Sequence, residues 1–182
     1  MHPRNNTTNR FSLFEKFAGN YKNKKILDYG GNRGNLLYFS QGKIKQENYT
    51  CIDVEKDAIE QGKIEFPNAN FMHYDRYNWM YNHNGNMQHD FPKLYLCYDI
   101  IWAYSVFSHT DLDEFIAGVK WFTKLDFELA AISFLTFNEM LEWAYNKRFQ
   151  EYNMCVDIKQ YKHSLESNLF IDSIFICFLF IK

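Results

Sequence analysis

The sequence carries no excess of basic charge. Its 20 Lys and Arg face 22 Asp and Glu, for a formal net charge of -2 over 182 residues. The electrostatic footprint of a nucleic-acid-binding chain is missing, so no nucleic-acid partner is expected. Cysteine is scarce, with four residues, and none forms a C-x-x-C pair. A zinc site of that spacing is therefore unsupported. Cys51, Cys97 and Cys177 fall in apolar runs that read as strands. Buried, reduced thiols are the expectation, which suits a cytoplasmic protein. The opening MHPRNNTTNRF has no apolar h-region, so no signal peptide is read there. The apolar run from Ser173 to Lys182 is shorter than the roughly 20 residues a membrane helix needs. A buried strand is expected there, and no membrane partner. No internal repeat or linker divides the chain.

What is present is apolar: 47% of residues are hydrophobic and 19% aromatic. That excludes a disordered chain and gives a chain of this length one domain, residues 1–182, with a real core. Strands and helices alternate along it. Lys24–Asp28, Tyr49–Asp53, Asn70–His73, Tyr98–Ala103 and Leu129–Thr136 read as strands. Helices are expected from Asn35, from Asp57 to Phe66 before Pro67, and from Leu112 to Phe122. In the last of these, Leu112, Phe115, Ile116, Val119 and Phe122 keep the helical period, and Asp111 with Glu114 resembles a capping box. A further helix is expected from Asn138 through Leu141, Tyr145 and Phe149. This alternation predicts an α/β fold: a Rossmann-like, doubly wound, mostly parallel sheet with helices on both faces. Residues 165–171 and 174–181 could add an antiparallel C-terminal edge, in a chain that is either naturally minimal or truncated. Residues 1–20 are read as an N-terminal segment and 76–97 as a polar, aromatic loop.

In such sheets ligands bind at the carboxyl ends of the strands. Three acids, Asp28, Asp53 and Asp75, fall at three successive ends, each about one strand-helix unit after the last. The segment Ile26-Leu-Asp-Tyr-Gly-Gly-Asn-Arg-Gly34 fits D-x-G-x-x-x-G through Asp28, Gly30 and Gly34. Glycine there permits positive φ and close approach of a ligand to the backbone. The dinucleotide fingerprint G-x-G-x-x-G fits less well, because Tyr29 holds its first glycine position. An NAD-dependent oxidoreductase is thereby the weaker alternative. A carboxylate at Asp53 can accept hydrogen bonds from both hydroxyls of a ribose.

With these residues the sequence resembles the class I S-adenosylmethionine-dependent methyltransferases, of the small-molecule type, over residues 10–145. "ILDYGGNRGNLL" is similar to the family's first motif, with Asn32 where the middle glycine is usual. The resemblance implies S-adenosyl-L-methionine as cofactor, with Asp28, Gly30, Gly31, Asn32 and Gly34 forming the loop. From "YTCIDVEKDAIEQGK" it implies that Asp53 binds the ribose and Val54 flanks the adenine. From "FMHYDRYN" it implies that Asp75 meets the adenine amino group with Arg76 beside it. From "YDIIWAYSVFSHTD" it implies that the backbone at Ala103 and Tyr104 approaches the methionine part. The implied reaction is direct methyl transfer to an O or N atom of a small polar acceptor. A non-catalytic cofactor-binding subunit is the alternative from another class.

Three features keep two readings each. His109 is either a general base or a residue that shapes the pocket. Tyr77, Trp79 and Tyr81 either wall a substrate or form a satellite core. His83, His89 and Asp90 match no standard metal spacing, and a solvated loop is expected over a metal site. The acceptor and the oligomeric state are not encoded in these motifs.

Overall fold

The computed structural model describes residues 8–88, 90–94, 97–107, 110, 112–136, 156–162 and 175–181. Five parallel strands form the sheet: β1 (Ile26–Tyr29), β2 (Tyr49–Asp53), β3 (Asn70–His73), β4 (Ile100–Ala103) and β5 (Leu129–Thr136), in the order 3-2-1-4-5. The bounds of β2, β3 and β5 are those the apolar runs predict. Beyond β5 the chain adds β7 (Phe175–Ile181) and then β6 (Val156–Lys162), each antiparallel to its neighbour. β7 falls on the expected run 174–181. The expected strand 165–171 lies outside the described residues, as does the expected helix from Asn138 to Phe149.

The strands are apolar because the sheet is covered on both sides, and the period of two sorts their side chains. Leu27, Tyr29, Ile101, Ala103, Ala130 and Ile132 join the core under helix α4 (Leu112–Phe122), with Phe115, Val119 and Phe122. Ile26, Ile100, Trp102 and Ala131 join the opposite core, with residues of α1 (Thr8–Ala18), α2 (Asn35–Phe39) and α3 (Lys56–Glu65). α3 stops where Pro67 requires: Phe66 leaves the helical region at φ -129° and ψ 72°.

The structure adds one element the sequence reading does not assign and corrects one expectation. The N-terminal segment contains a helix, α1, because Phe11 and Phe14, one turn apart, are both buried against the sheet. Cys97 is exposed, because β4 begins only at Ile100 and the residues before it lie outside the sheet. Cys51 is buried as expected. No helix among the described residues is long and apolar enough to cross a membrane.

Candidate functional site

The strand order reverses between β1 and β4, whose connections run to opposite sides, and this is where an open parallel sheet forms a crevice. A cavity of about 630 Å³ lies at the carboxyl ends of these strands, lined from the loop after β1 across to the segment after β4. Its size falls within the roughly 300–1,000 Å³ of small-molecule sites.

The glycine loop is its floor. Gly30 has φ +74° and its N–H donates to the Ile52 carbonyl at 2.7 Å, which turns the chain sharply off β1. The space a Cβ would take at Gly30 is filled by Val106, which would lie 2.2 Å from it. Gly31 rides directly over the Asp28 carboxylate, and a Cβ there would meet Oδ2 at 2.6 Å. Gly34, at φ +78°, leaves room for Phe66 and Phe71. Neither Gly31 nor Gly34 lines the main cavity.

Asn32 stands in the left-handed region at φ 54°, the conformation that the usual glycine would take freely. Asn accepts it at lower cost than most residues, and its Nδ2 donates to Glu55 Oε2 at 2.8 Å. Asn32→Gly should therefore change stability by less than about 1 kcal/mol, whereas Asn32→Val should cost roughly 1–3 kcal/mol. Thermal denaturation of the two variants checks this; equal losses would contradict the conformational account.

Asp53 closes β2 and lines the cavity. Its Oδ2 accepts the Asn32 N–H at 2.6 Å and its Oδ1 the Glu55 N–H at 2.9 Å. Burial pushes its carboxyl up from an ordinary 3.8 to about 6, against the pull of those amides. Asp28 is also buried, but faces a nook of about 20 Å³ behind the loop and not the main cavity. The Tyr49 hydroxyl donates to it. Burial and the adjacent Asp28 carboxylate raise the Tyr49 hydroxyl well above its ordinary range.

The third acid is placed differently. Asp75 lies past the end of β3, is exposed, and does not line the cavity; Asn82 Nδ2 donates to its Oδ1 at 3.1 Å. Arg76 does line the cavity, spans to Glu114 of α4 in an ion pair, and lies over the Phe91 ring at 5.6 Å. Glu114 thus ties two walls together; Asp111, the other member of the expected capping box, lies outside the described residues. Val54, Tyr77 and Tyr81 line the cavity, while Trp79 does not and is 56% exposed. Half-open on the rim, these aromatics form no satellite core. Among the described residues no cluster of three or more His, Cys, Asp or Glu could hold a metal.

The segment after β4 forms the far wall. Ala103 is fully buried in the strand, and Tyr104 to Phe107 line the cavity. Tyr104 stacks on Trp102 at 5.8 Å, and Phe107 stacks on Tyr29 at 6.0 Å. Ser105 is left-handed at φ 59°, a conformation that costs a non-glycine residue roughly 1–3 kcal/mol. Its N–H donates to the buried Ser133 hydroxyl at 2.6 Å. His109 lies outside the described residues.

Several contributors receive no role from the sequence motifs. Asn35 lines both the cavity and the nook, and its Oδ1 is buried with no hydrogen-bond partner. Asn35, Glu55, Ser105 and Val106 sit inside the motif segments, and Ser133 sits in β5 outside them; each is chemically ordinary and becomes visible only through the fold.

No family model and no curated protein matches this sequence. Solved structures do match. Magnesium protoporphyrin IX methyltransferase from Synechocystis, crystallised with bound SAM, is 13% identical, with a TM-score of 0.60 over 97% of this chain and 78% of that one. The methyltransferase domain of bacterial CtHen1-C is 18% identical, with a TM-score of 0.58 over 96% and 97% of the two chains. A TehB-like SAM-dependent methyltransferase from Corynebacterium glutamicum is 17% identical, with a TM-score of 0.58 over 94% and 86%. The chain has the fold of the class I S-adenosylmethionine-dependent methyltransferases.

Proposed function

We propose that this chain is an S-adenosylmethionine-dependent methyltransferase acting on an O or N atom of a small polar molecule. The observation that carries the reading is the buried Asp53 carboxylate, which opens into the cavity beside the left-handed glycine loop. A carboxylate offers about four acceptor sites. Two are taken by the Asn32 and Glu55 amides, which leaves capacity for the two hydroxyls of a ribose. The fit extends outward from there. Val54 and the rim aromatics Tyr77 and Tyr81 suit a flat base, and the turn of Tyr104 to Phe107 suits the amino-acid end. Arg76 rather than Asp75 presents its side chain to the base.

When bound, S-adenosylmethionine supplies both the activated methyl group and its leaving group. What remains for the protein is alignment and exclusion of water. Asp53 fixes the ribose, and Gly30 lets the backbone approach. Asp28 lies directly beneath Gly31. The Arg76–Glu114 pair closes one side of the cavity. His109 follows the far wall in sequence. As a pocket-shaping residue it gives a His109→Gln variant whose pH-rate profile is unchanged.

Calorimetry tests the reading. S-adenosylhomocysteine should bind and NAD should not, and transfer from radiolabelled S-adenosylmethionine should follow once an acceptor is found. Binding of NAD with no response to S-adenosylhomocysteine would overturn it.

A further inference from the structure

We propose that Ser133 is a positioning residue, whose buried hydroxyl holds Ser105 left-handed and so sets the wall of the cofactor cavity that follows β4. The inference rests on the methyltransferase reading above.

Ser133 lies within β5, 2% exposed, among residues that are otherwise apolar. A hydroxyl buried there needs a partner, and packing alone gives no reason for it. The register explains its place. β4 and β5 pair through Ala103↔Ile132, the last rung of their parallel ladder. Ser133 is the next residue up, where a continued strand would carry the ladder on. Instead the chain turns, and the Ser133 Oγ accepts the Ser105 N–H at 2.6 Å in place of a further rung. The backbone at Ser105 takes φ 59° to reach it.

That turn decides where three cavity-lining residues go. Tyr104 is laid on Trp102 with the rings 4° from parallel, Val106 is set on Gly30, and Phe107 is stacked on Tyr29. Without the hydroxyl, the Ser105 N–H loses the acceptor whose bond offsets the cost of a left-handed serine. Ser105 relaxes toward negative φ, and the wall loses the shape that meets the ligand.

The experiment uses the whole chain and two variants. Ser133→Ala should bind S-adenosylhomocysteine about tenfold more weakly than the parent. 5′-Methylthioadenosine, which lacks the amino-acid end, should lose less. Ser105→Gly in the Ser133→Ala background should recover much of the loss, because glycine takes positive φ without strain. A second readout needs no ligand: amide hydrogen exchange across residues 103–107 should quicken in Ser133→Ala. Unchanged affinity, a fall in melting temperature without a fall in affinity, or a loss that Ser105→Gly does not rescue would each overturn the proposal. If the parent itself binds no S-adenosylhomocysteine, the methyltransferase reading fails. The exchange measurement then still decides whether Ser133 holds the turn.

Discussion

Asp53→Ala should weaken S-adenosylhomocysteine binding by roughly 10²–10⁴-fold, the loss of two charge-assisted hydrogen bonds at about 1.5–3 kcal/mol each. The protein should stay folded. The variant leaves the Asn32 and Glu55 amides without their acceptor. It also removes a buried charge whose ionisation at neutral pH costs on the order of 3 kcal/mol, given a folded pKa of about 6 against 3.8. The two effects oppose each other. The sign of the pH dependence follows. Because the folded pKa lies above the unfolded one, the carboxyl costs the apo protein nothing below about pH 4 and its full penalty above about pH 6. Ligand hydroxyls need the ionised form, so affinity should be greatest above pH 6 and fall by up to tenfold per unit below it. Titration calorimetry from pH 5 to 8 measures this. A flat profile, or a folded Asp53→Ala protein with parental affinity, would remove Asp53 from the site.

Phe14→Ala should cost about 3–5 kcal/mol, the range for removing a buried aromatic without collapse of the site around it. Phe14 is fully buried on α1. Its ring meets Trp102 edge-on at 5.4 Å and Tyr21 at 5.2 Å, and Phe11 is stacked 6.1 Å away. It therefore joins the N-terminal helix to the central strand that carries Ala103. A shift of the denaturation midpoint with an unchanged denaturant slope is the expected result. A loss under 1 kcal/mol would mean that α1 is dispensable to the core.

This helix also shows where the sequence stops being legible. The parallel strands announce themselves, since a strand covered on both faces is a continuous apolar run: Leu129–Thr136 is legible to the residue. α1 does not. Its aromatics are interleaved with Asn, Arg, Ser, Glu and Lys, and the polar residues ahead of it obscure the one-turn spacing of Phe11 and Phe14. The acids divide in the same way. Asp28 and Asp53 lie within strands, where alternation dictates the side-chain direction. Asp75 lies past β3, where that rule lapses, and spacing alone could not tell that its carboxylate turns to Asn82. The Ser105–Ser133 bond joins residues 28 apart in sequence. No local pattern encodes it.

The two halves of the cavity are anchored unequally. Asp28, Asp53 and Ala103 emerge from β1, β2 and β4, each flanked by a strand on both sides. Their amides should open to solvent only when the whole molecule unfolds. The rim from Arg76 to Gln88 is held by isolated bridges, Arg76↔Asn86 and Asn78↔Asn82, and by asparagine side chains that cap its turns. Such a rim opens at a small fraction of the global free energy. The ribose end of a ligand would thus meet a surface as rigid as the fold itself, while the base end meets one that can reshape around different molecules. Mutational drift in residues 76–88 can then retune what the rim grips without endangering the fold.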